Sequence, residues 1–360
     1  MKILLINTFD TKGGAAKFCY RLKKNLDKNN IVNWLIVKSK EKESSLQFKI
    51  SFLQKILNKI LKTEGLGKST LKELKGLPFW DQLDLIHFHN LHGGYFNIFN
   101  LPKLSKEKRC VWTLHDPWIL DKKNVLVPEY KNIFKGENKI FNKIKKELID
   151  VSNITLVTPS VWLKNKVEKE YPNKKIELIP NGIDTSLFKP INKKEVREKL
   201  GIPINKTVVL FVANGGKDNI EKGSEYINLV RKHFENFLII ELGGNNQYVE
   251  SEKDMAEYYS AAELLLFPSL AENFPLSILE SMSCGTPVLA FDTGGIKEII
   301  DHEINGYVAK YKDENDLING IKFITTEKTL SQKAREKIVN NFDEQIIFKK
   351  YQDLYKKIIN

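Results

Sequence analysis

Two glutamates, Glu272 and Glu280, stand in the run Pro268-Ser269-Leu270-Ala271-Glu272-Asn273-Phe274-Pro275-Leu276-Ser277-Ile278-Leu279-Glu280-Ser281-Met282-Ser283-Cys284-Gly285-Thr286-Pro287. An apolar strand ends near Phe267. The spacing then predicts a loop and a helix from about Pro275, because proline suits a first helical position where no N–H is needed. Gly285 closes the helix. Main-chain amides at such a start, around Phe274 to Leu276, point outward beside the positive end of the helix dipole and favour an anion. A diphosphate fits there. Glu280 lies about 8 Å along the axis at ~1.5 Å per residue, a reach that suits a ribose donating its hydroxyls to a carboxylate. Glu272, on the loop before the helix, is placed to accept hydrogen bonds from a sugar. Spacing alone leaves a second reading open, in which Glu272 is a loop acid and Glu280 a surface helical charge.

Other turns carry chemistry of the same kind. Ala213 to Gly223 follows a strand and opens a helix; its glycines let a backbone approach a ligand, and Lys217 or Lys222 would neutralise a departing pyrophosphate. Thr8 to Gly14 repeats the pattern, with Gly13-Gly14 ahead of a helix from Ala15, and would admit a donor phosphate or an acceptor. His115-Asp116 falls at the carboxyl edge of a strand, where doubly wound sheets bind ligands. There His115 is either a hydrogen-bond partner of a sugar or a satisfied core histidine. Asp292-Thr293-Gly294-Gly295 is another strand-end turn. His87, His89 and His92 cluster without an acidic partner at metal-ligand spacing, so no metal is expected.

These residues need two scaffolds. A chain of 360 residues suits two domains. Short apolar runs alternate with amphipathic ones: Lys2 to Ile6, Ile31 to Val37, Leu83 to His89, Cys110 to Leu114 and Ile154 to Thr158, then Val208 to Val212, Phe237 to Leu242, Leu264 to Phe267 and Pro287 to Phe291. Continuous apolar strands between helices indicate parallel sheets covered on both faces. The fold class is therefore α/β, two doubly wound domains. The punctuation Ile179-Pro180-Asn181-Gly182-Ile183-Asp184 marks the boundary, giving domains 1–180 and 181–344. From about Asp343, apolar residues at Ile346, Ile347, Tyr351, Leu354, Tyr355 and Ile358 predict a last helix.

The net charge is +12, yet only five of the 57 basic residues are arginine, which argues against nucleic-acid readout. Between Lys38 and Lys75 ten lysines face four glutamates. Within that stretch Phe52, Leu53, Ile56, Leu57, Ile60 and Leu61 follow helical spacing with lysines on other faces. Residues 46–62 are thus either a core-covering helix or a basic amphipathic one that meets an anionic membrane. The start lacks the apolar length of a secretory signal and nothing reaches a membrane-spanning length, so the expected location is cytoplasmic, at most peripheral at the inner membrane face. Cys19, Cys110 and Cys284 lie far apart and read as buried thiols. The Gly-x-Gly-x-x-Gly fingerprint of a dinucleotide-dependent oxidoreductase is missing.

Taken together, these residues resemble glycosyltransferase family 4, the retaining GT-B family that includes capsule, exopolysaccharide and lipopolysaccharide enzymes. Glu272 and Glu280 match its Glu-x7-Glu motif, followed by Ser-Met-Ser-Cys-Gly-Thr-Pro-Val. Gly13-Gly14, Asn90 to Phe96, Trp112 to Asp116, Ile179 to Asp184, Lys222-Gly223, Pro268-Ser269, Thr293-Gly294-Gly295 and Asn305-Gly306-Tyr307 follow in the family's order. The resemblance implies two Rossmann-like domains facing each other across a cleft, with the last helix, 345–360, crossing back to complete the acceptor-binding N-terminal domain. It implies that Glu280 binds the ribose, Glu272 touches the donor sugar, and His115 sits beside it. The run Asn273, Phe274, Pro275, Leu276 would meet the diphosphate and Lys222 would stabilise the leaving group. Two departures stand out. Glu221 replaces an arginine before Lys-Gly, so that the second cation is either Lys217 or absent, and Pro117-Trp118-Ile119-Leu120-Asp121 replaces a Phe-Thr-Gly-Gly-Cys-like loop after His115-Asp116.

The implied reaction moves a sugar from a UDP- or GDP-sugar to a glycan or lipid-linked acceptor by front-face displacement, without cofactor or metal. A nucleotide-sugar 2-epimerase on the same architecture and a catalytically silent sugar-nucleotide or membrane-binding module are the rival readings.

Overall fold

Segments of two to eight residues, strongly apolar and β-branched in the central strands, form two all-parallel sheets in the computed structural model, which describes residues 1–48, 70–120, 139–213, 220–243, 249 and 251–360. The segment 49–62, which carries most of the expected amphipathic helix, and the Gly215-Gly216-Lys217 turn lie outside the described residues. The chain divides into two compact units, Met1–Pro180 with Phe348–Asn360, and Asn181–Ile347.

The first unit holds seven strands: β1 (Lys2–Phe9), β2 (Val32–Ser39), β3 (Leu46–Gln47), β4 (Leu85–Phe88), β5 (Arg109–Thr113), β6 (Ile154–Thr158) and β7 (Ile176–Leu178). Their order is β3-β2-β1-β4-β5-β6-β7. The chain winds outward one way from β1 and the other way from β4, so the sheet reverses direction between those two strands. Residues of β1, β4, β5 and β6 are buried on both faces, which is why they read as continuous apolar runs.

The second unit holds β8 (Val208–Val212), β9 (Leu238–Leu242), β10 (Leu264–Phe267), β11 (Val288–Phe291) and β12 (Tyr307–Ala309) in the order β12-β11-β10-β8-β9. Here the reversal falls between β8 and β10. One face of the sheet packs against the helices Glu252–Ala261, Leu276–Ser283 and Leu330–Phe342 through Tyr259, Ile278, Met282 and Ile338. The other packs against Glu225–His233 and Glu314–Thr326 through Tyr226, Leu317 and Ile321.

The turn after Pro180 is tied to the end of the second unit: Ile183 N–H donates to Phe342 O at 2.9 Å and Glu344 N–H to Ile183 O at 2.9 Å. The last helix, Glu344–Ile359, starts there and ends in the first unit. Its buried side is Ile347, Phe348, Tyr351, Leu354 and Tyr355. The helical spacing thus identified the element, with two departures: Ile346 is exposed and Phe348 takes its place in the core, and Ile358 is only half-buried. Tyr355 Oη lies 2.6 Å from His87 Nδ1, Tyr351 Oη 3.0 Å from Thr113 Oγ1, and Gln352 Nε2 donates to Asn25 Oδ1 at 3.0 Å. These buried polar contacts fix the helix on β4, β5 and the first helix, Gly14–Lys28.

Candidate active site

Ligands of doubly wound sheets bind beyond the carboxyl ends of the strands where the sheet reverses, and in the second unit that point is the pair β8 and β10. The loops leaving those ends meet. From β8 comes the 3₁₀ turn Ile220–Lys222 with Gly223; from β10 comes Pro268 to Pro275; β11 adds Thr293-Gly294-Gly295. Main-chain bonds stitch them together. Leu270 N–H donates to Glu221 O and Gly295 N–H to Asn273 O, both at 2.9 Å. Ser269 Oγ lies 3.3 Å from Glu221 O.

Two glycines permit the close approach. Gly223, at φ +70°, faces Pro268 so tightly that a β-carbon would lie 2.8 Å from its carbonyl carbon. Gly294, at φ +57°, faces Glu272, where a β-carbon would lie 2.6 Å from the carbonyl carbon. Both positions combine a left-handed backbone with a contact that excludes any side chain.

The clamp brings Lys222 and Glu272 into an ion pair. Ser269 Oγ donates to the same Glu272 oxygen at 2.9 Å. Side-chain exposures of 31% for Lys222 and 12% for Glu272 leave the pair open to solvent on the lysine side. A phosphate arriving here would compete with Glu272 for the ammonium.

The helix beside this pair runs Leu276–Ser283. Pro275 is its N-cap, one position earlier than the sequence suggests, and no side chain caps the helix. Proline has no N–H, so the donors of the first turn are the amides of Leu276, Ser277 and Ile278, while Pro275 contributes its fixed φ of −74°. At the other end Gly285, at φ +78°, completes a Schellman motif: its N–H donates to Met282 O and that of Thr286 to Ser281 O, both at 3.0 Å. Phe274 points its ring into the core, 5.5 Å from Phe342, and its carbonyl accepts from Asn181 Nδ2 at 2.8 Å. Asn273 is buried behind it.

Glu280 is buried, and its carboxylate accepts a hydrogen bond from Tyr259 Oη at 2.9 Å. Burial, and then the neighbouring carboxylate, push the Tyr259 phenol well above its ordinary value, so it stays a donor. The reading of Glu280 as a surface charge is therefore set aside: it is a held, oriented carboxylate on a buried helix.

In the first unit, Gly13, at φ +86°, is the N-cap of the helix Gly14–Lys28 at the carboxyl end of β1, again without a side-chain cap. Beyond β4 and β5 lie His89, His92, His115 and Asp116. His89 Nδ1 is 2.9 Å from His115 Nε2, and His92 Nε2 is 2.8 Å from Asp116 Oδ2. Burial holds the His115 imidazole down to about 4, with His92 adding to the shift and Asp116 opposing it. For Asp116 burial acts upward, but His92 and the Trp118 amide outweigh it and the carboxyl stays low. Asp116 Oδ1 accepts from Trp118 N–H at 2.9 Å and so caps the 3₁₀ turn Pro117–Ile119. Lys145 Nζ, 4.4 Å above the Trp118 ring, donates to Trp118 O at 2.7 Å. The Pro117-Trp118 sequence thus builds a capped 3₁₀ turn directly after His115-Asp116.

Sequence reasoning missed Tyr259, Ser269 and His89 as partners of Glu280, Glu272 and His115. Ser269 stands beside Glu272 in the same motif and was within reach; the other two touch their partners only through the fold. Lys217 lies outside the described residues. Among the described residues no three His, Cys, Asp or Glu side chains converge as a metal site would require, and Cys19, Cys110 and Cys284 are buried free thiols.

Comparison with known proteins agrees with this architecture. The family model for Glycosyltransferase Family 4 matches residues 12–187, and that for Glycosyl transferases group 1 matches residues 240–345. The chain belongs to glycosyltransferase family 4. In this family 4 chain Gly13, Gly14 and His115 fall within the first match and Glu272 to Glu280 within the second, while Lys222 lies between them. An Escherichia coli UDP-Gal:alpha-D-GlcNAc-diphosphoundecaprenol alpha-1,3-galactosyltransferase is 29% identical over 215 residues, 50% of this chain and 54% of that protein. The match thus spans about half the length of that curated relative. An uncharacterised 41.2 kDa protein in the cps region of Klebsiella pneumoniae is 23% identical over 96% of this chain and 97% of its own. Sucrose-phosphate synthase from Thermosynechococcus elongatus superposes with a TM-score of 0.75 at 18% identity, covering 99% of this chain and 98% of that one. The fold is GT-B, built of two Rossmann-like units.

Proposed function

We propose that this chain is a retaining glycosyltransferase that moves a sugar from a nucleoside-diphosphate sugar to a glycan or lipid-linked acceptor in bacterial surface-polysaccharide synthesis. The observation that carries the reading is the uncapped start of helix Leu276–Ser283 beside the Lys222–Glu272 pair, at the switch point of the second sheet. The amides of Leu276 to Ile278 open a helix that starts four residues after Glu272, the partner of the Lys222 ammonium, and donors of these two kinds would suit a diphosphate. Glu280, held by Tyr259, would accept from ribose hydroxyls. Glu272, once Lys222 turns to phosphate, would accept from the sugar. Gly13 and Gly14 would leave room at the second uncapped helix start, and His115 would border the transferred sugar.

The chemistry follows from where charge develops. As the sugar–phosphate bond breaks, negative charge builds on the departing diphosphate, and preorganised amides with one ammonium stabilise it without rearrangement. The acceptor hydroxyl enters on the face the phosphate leaves and passes its proton to that phosphate, so the anomeric configuration is retained. No protein nucleophile, cofactor or metal enters this scheme. A transferase is favoured over an epimerase because the chain's family and the E. coli relative carry transferase names. That relative's undecaprenol-linked acceptor, and the capsule-region protein of Klebsiella, favour a lipid-linked acceptor and peripheral contact with the membrane. Among the described residues no helix is long and apolar enough to cross a bilayer.

A thermal-shift panel of UDP-, GDP- and ADP-sugars tests the reading. A ligand at 100 times its Kd adds about 2.7 kcal/mol of stability, so at least one is expected to raise the melting temperature, and Glu280→Ala to reduce that rise. A panel that leaves the melting temperature unmoved overturns it.

A further inference from the structure

The amino ends of β5, β6 and β7 and the end of the last helix line a cleft of about 630 Å³ within the first unit. It lies at the opposite end of β5 from His115, which follows that strand's carboxyl end. The reaction proposed above does not use it. Its volume falls in the range of small-ligand sites, roughly 300–1,000 Å³. Six cations line it, Lys106, Lys108, Arg109, Lys174, Lys175 and Lys357, against two acids, Glu107 and Glu177. Both acids already have partners: Lys357 Nζ pairs with Glu177 at 2.9 Å, and Lys75, from outside the lining, pairs with Glu107 at 2.7 Å. Lys106, Lys108, Arg109, Lys174 and Lys175 are left without a carboxylate partner among the described residues.

Part of this charge serves the fold. Helices that connect parallel strands run back against them, so their carbonyl ends gather at the strands' amino ends, where cations are favourable. Lys106 sits in the last turn of helix Leu101–Glu107. Lys108 Nζ donates to Leu83 O at 2.9 Å, and Lys174 Nζ donates to Asp150 O at 3.0 Å and to Ser152 O. These carbonyls orient the ammonium groups without cancelling their charge. Burial still holds the Lys174 amine below its ordinary value, against the pull of Asp150, so an added anion would stabilise its charged form. Two groups have no such structural duty. The exposed Lys175 ammonium has no partner among the described residues. Arg109 is anchored by Nε, which donates to Ile358 O at 2.6 Å, and its two terminal nitrogens have no acceptor among the described residues. Arg197, Arg231 and Arg335 differ, for their terminal nitrogens all meet protein acceptors. A guanidinium fixed at Nε keeps its remaining donors for bidentate binding of a phosphate.

We propose that this cleft is a second anion site, separate from the donor site, which takes a small ligand carrying at least two phosphoryl groups and grips it through the Arg109 fork, Lys174 and Lys175. Five unmatched positive charges exceed the charge of about −1.5 to −2 on one phosphate group, which is why two are specified. Thr155 and Asn173 line the same space and add uncharged donors. The ligand would also bear on the last helix, because Arg109 and Glu177 tether that helix at Ile358 and Lys357. The phosphoryl groups can belong to a soluble anion or to lipid headgroups; the chemistry of recognition is the same.

Hydrogen–deuterium exchange with inorganic pyrophosphate, compared with potassium chloride at equal ionic strength, tests the site. Pyrophosphate is expected to slow exchange over residues 105–111 and 173–178. The double variant Arg109→Gln/Lys175→Gln, at two exposed positions, is expected to raise the pyrophosphate concentration needed by about tenfold or more. Lys72→Gln/Lys103→Gln removes the same charge at exposed positions outside the cleft and is expected to leave the response intact. Phosphatidylglycerol vesicles run alongside identify the source: protection by pyrophosphate assigns a soluble anion, and protection by vesicles alone assigns lipid headgroups. Three results overturn the proposal: no protection of these segments by either probe, equal protection by potassium chloride, or equal weakening in the two double variants. All three are read on segments away from residues 272–278, so they leave the proposed function standing.

Discussion

Gly294→Ala separates backbone strain from the close approach that holds the Glu272 loop. Any residue with a β-carbon at φ +57° is strained by about 1–2 kcal/mol. That cost is shared by Gly201→Ala, since Gly201 sits at φ +67° as a helix C-cap with open space around the missing side chain. What differs is the neighbour. At position 294 the new carbon would collide with the carbonyl oxygen of Glu272, closer still than the carbonyl carbon at 2.6 Å, and reaching ordinary contact moves the Glu272 loop by more than ~1 Å, at least the misplacement that costs an active site ~100-fold. Strain alone lowers the melting temperature by about 2–4 °C per kcal/mol in a unit of this size. Both variants are therefore expected to melt a few degrees lower, whereas the rise produced by a sugar nucleotide survives in Gly201→Ala and is largely lost in Gly294→Ala. Differential scanning fluorimetry with and without that ligand measures both. A full ligand response in Gly294→Ala would refute the claim that the β10 and β11 loops are packed to hold Glu272 in place.

The three buried histidines predict an acid limb. His87 and His89 are held well below 6.5 and His115 down to about 4, chiefly by burial, so the unfolded chain binds more protons as pH falls below 6.5. Stability is complete above that value and declines by about 1.4 kcal/mol per pH unit for each histidine titrating only when unfolded; urea midpoints between pH 7.5 and 5 should fall, and the slope should flatten by one proton in His87→Gln. Tyr259→Phe leaves Glu280 buried without its hydroxyl donor and should cost about 1–3 kcal/mol, read as a lower urea midpoint with an unchanged m-value. Lys222→Ala should reduce turnover of the donor more than its affinity, in a comparison of kcat with Kd; equal losses would make this lysine a passive anchor.

The sequence made the central strands legible because β1, β4, β5, β6, β8, β10 and β11 are buried on both faces and so read as unbroken apolar runs. It did not reveal β3, β7 and β12, two or three residues each at sheet edges, too short for any period to register. In the site, the helix start at Pro275 and the glycine that ends it follow from local chain chemistry, and both were visible. The ion pair between Lys222 and Glu272 was not, since it depends on β8 and β10 being neighbours, a property of topology. The same holds for Tyr259 and Glu280, which lie on different helices, and for His89 and His115, which follow different strands. The run Ser281 to Thr286, prominent in the resemblance, turns out to carry structure: Ser281 Oγ donates to Thr286 O at 2.9 Å and Arg335 binds the Ser283 carbonyl at 2.7 Å.

Hydrogen–deuterium exchange of the Leu276, Ser277 and Ile278 amides, measured with UDP, GDP and ADP in turn, tests the account at its centre. If these main-chain donors receive a diphosphate beside Lys222, at least one nucleotide will slow exchange over residues 272–278. Unaltered exchange there with all three would contradict it.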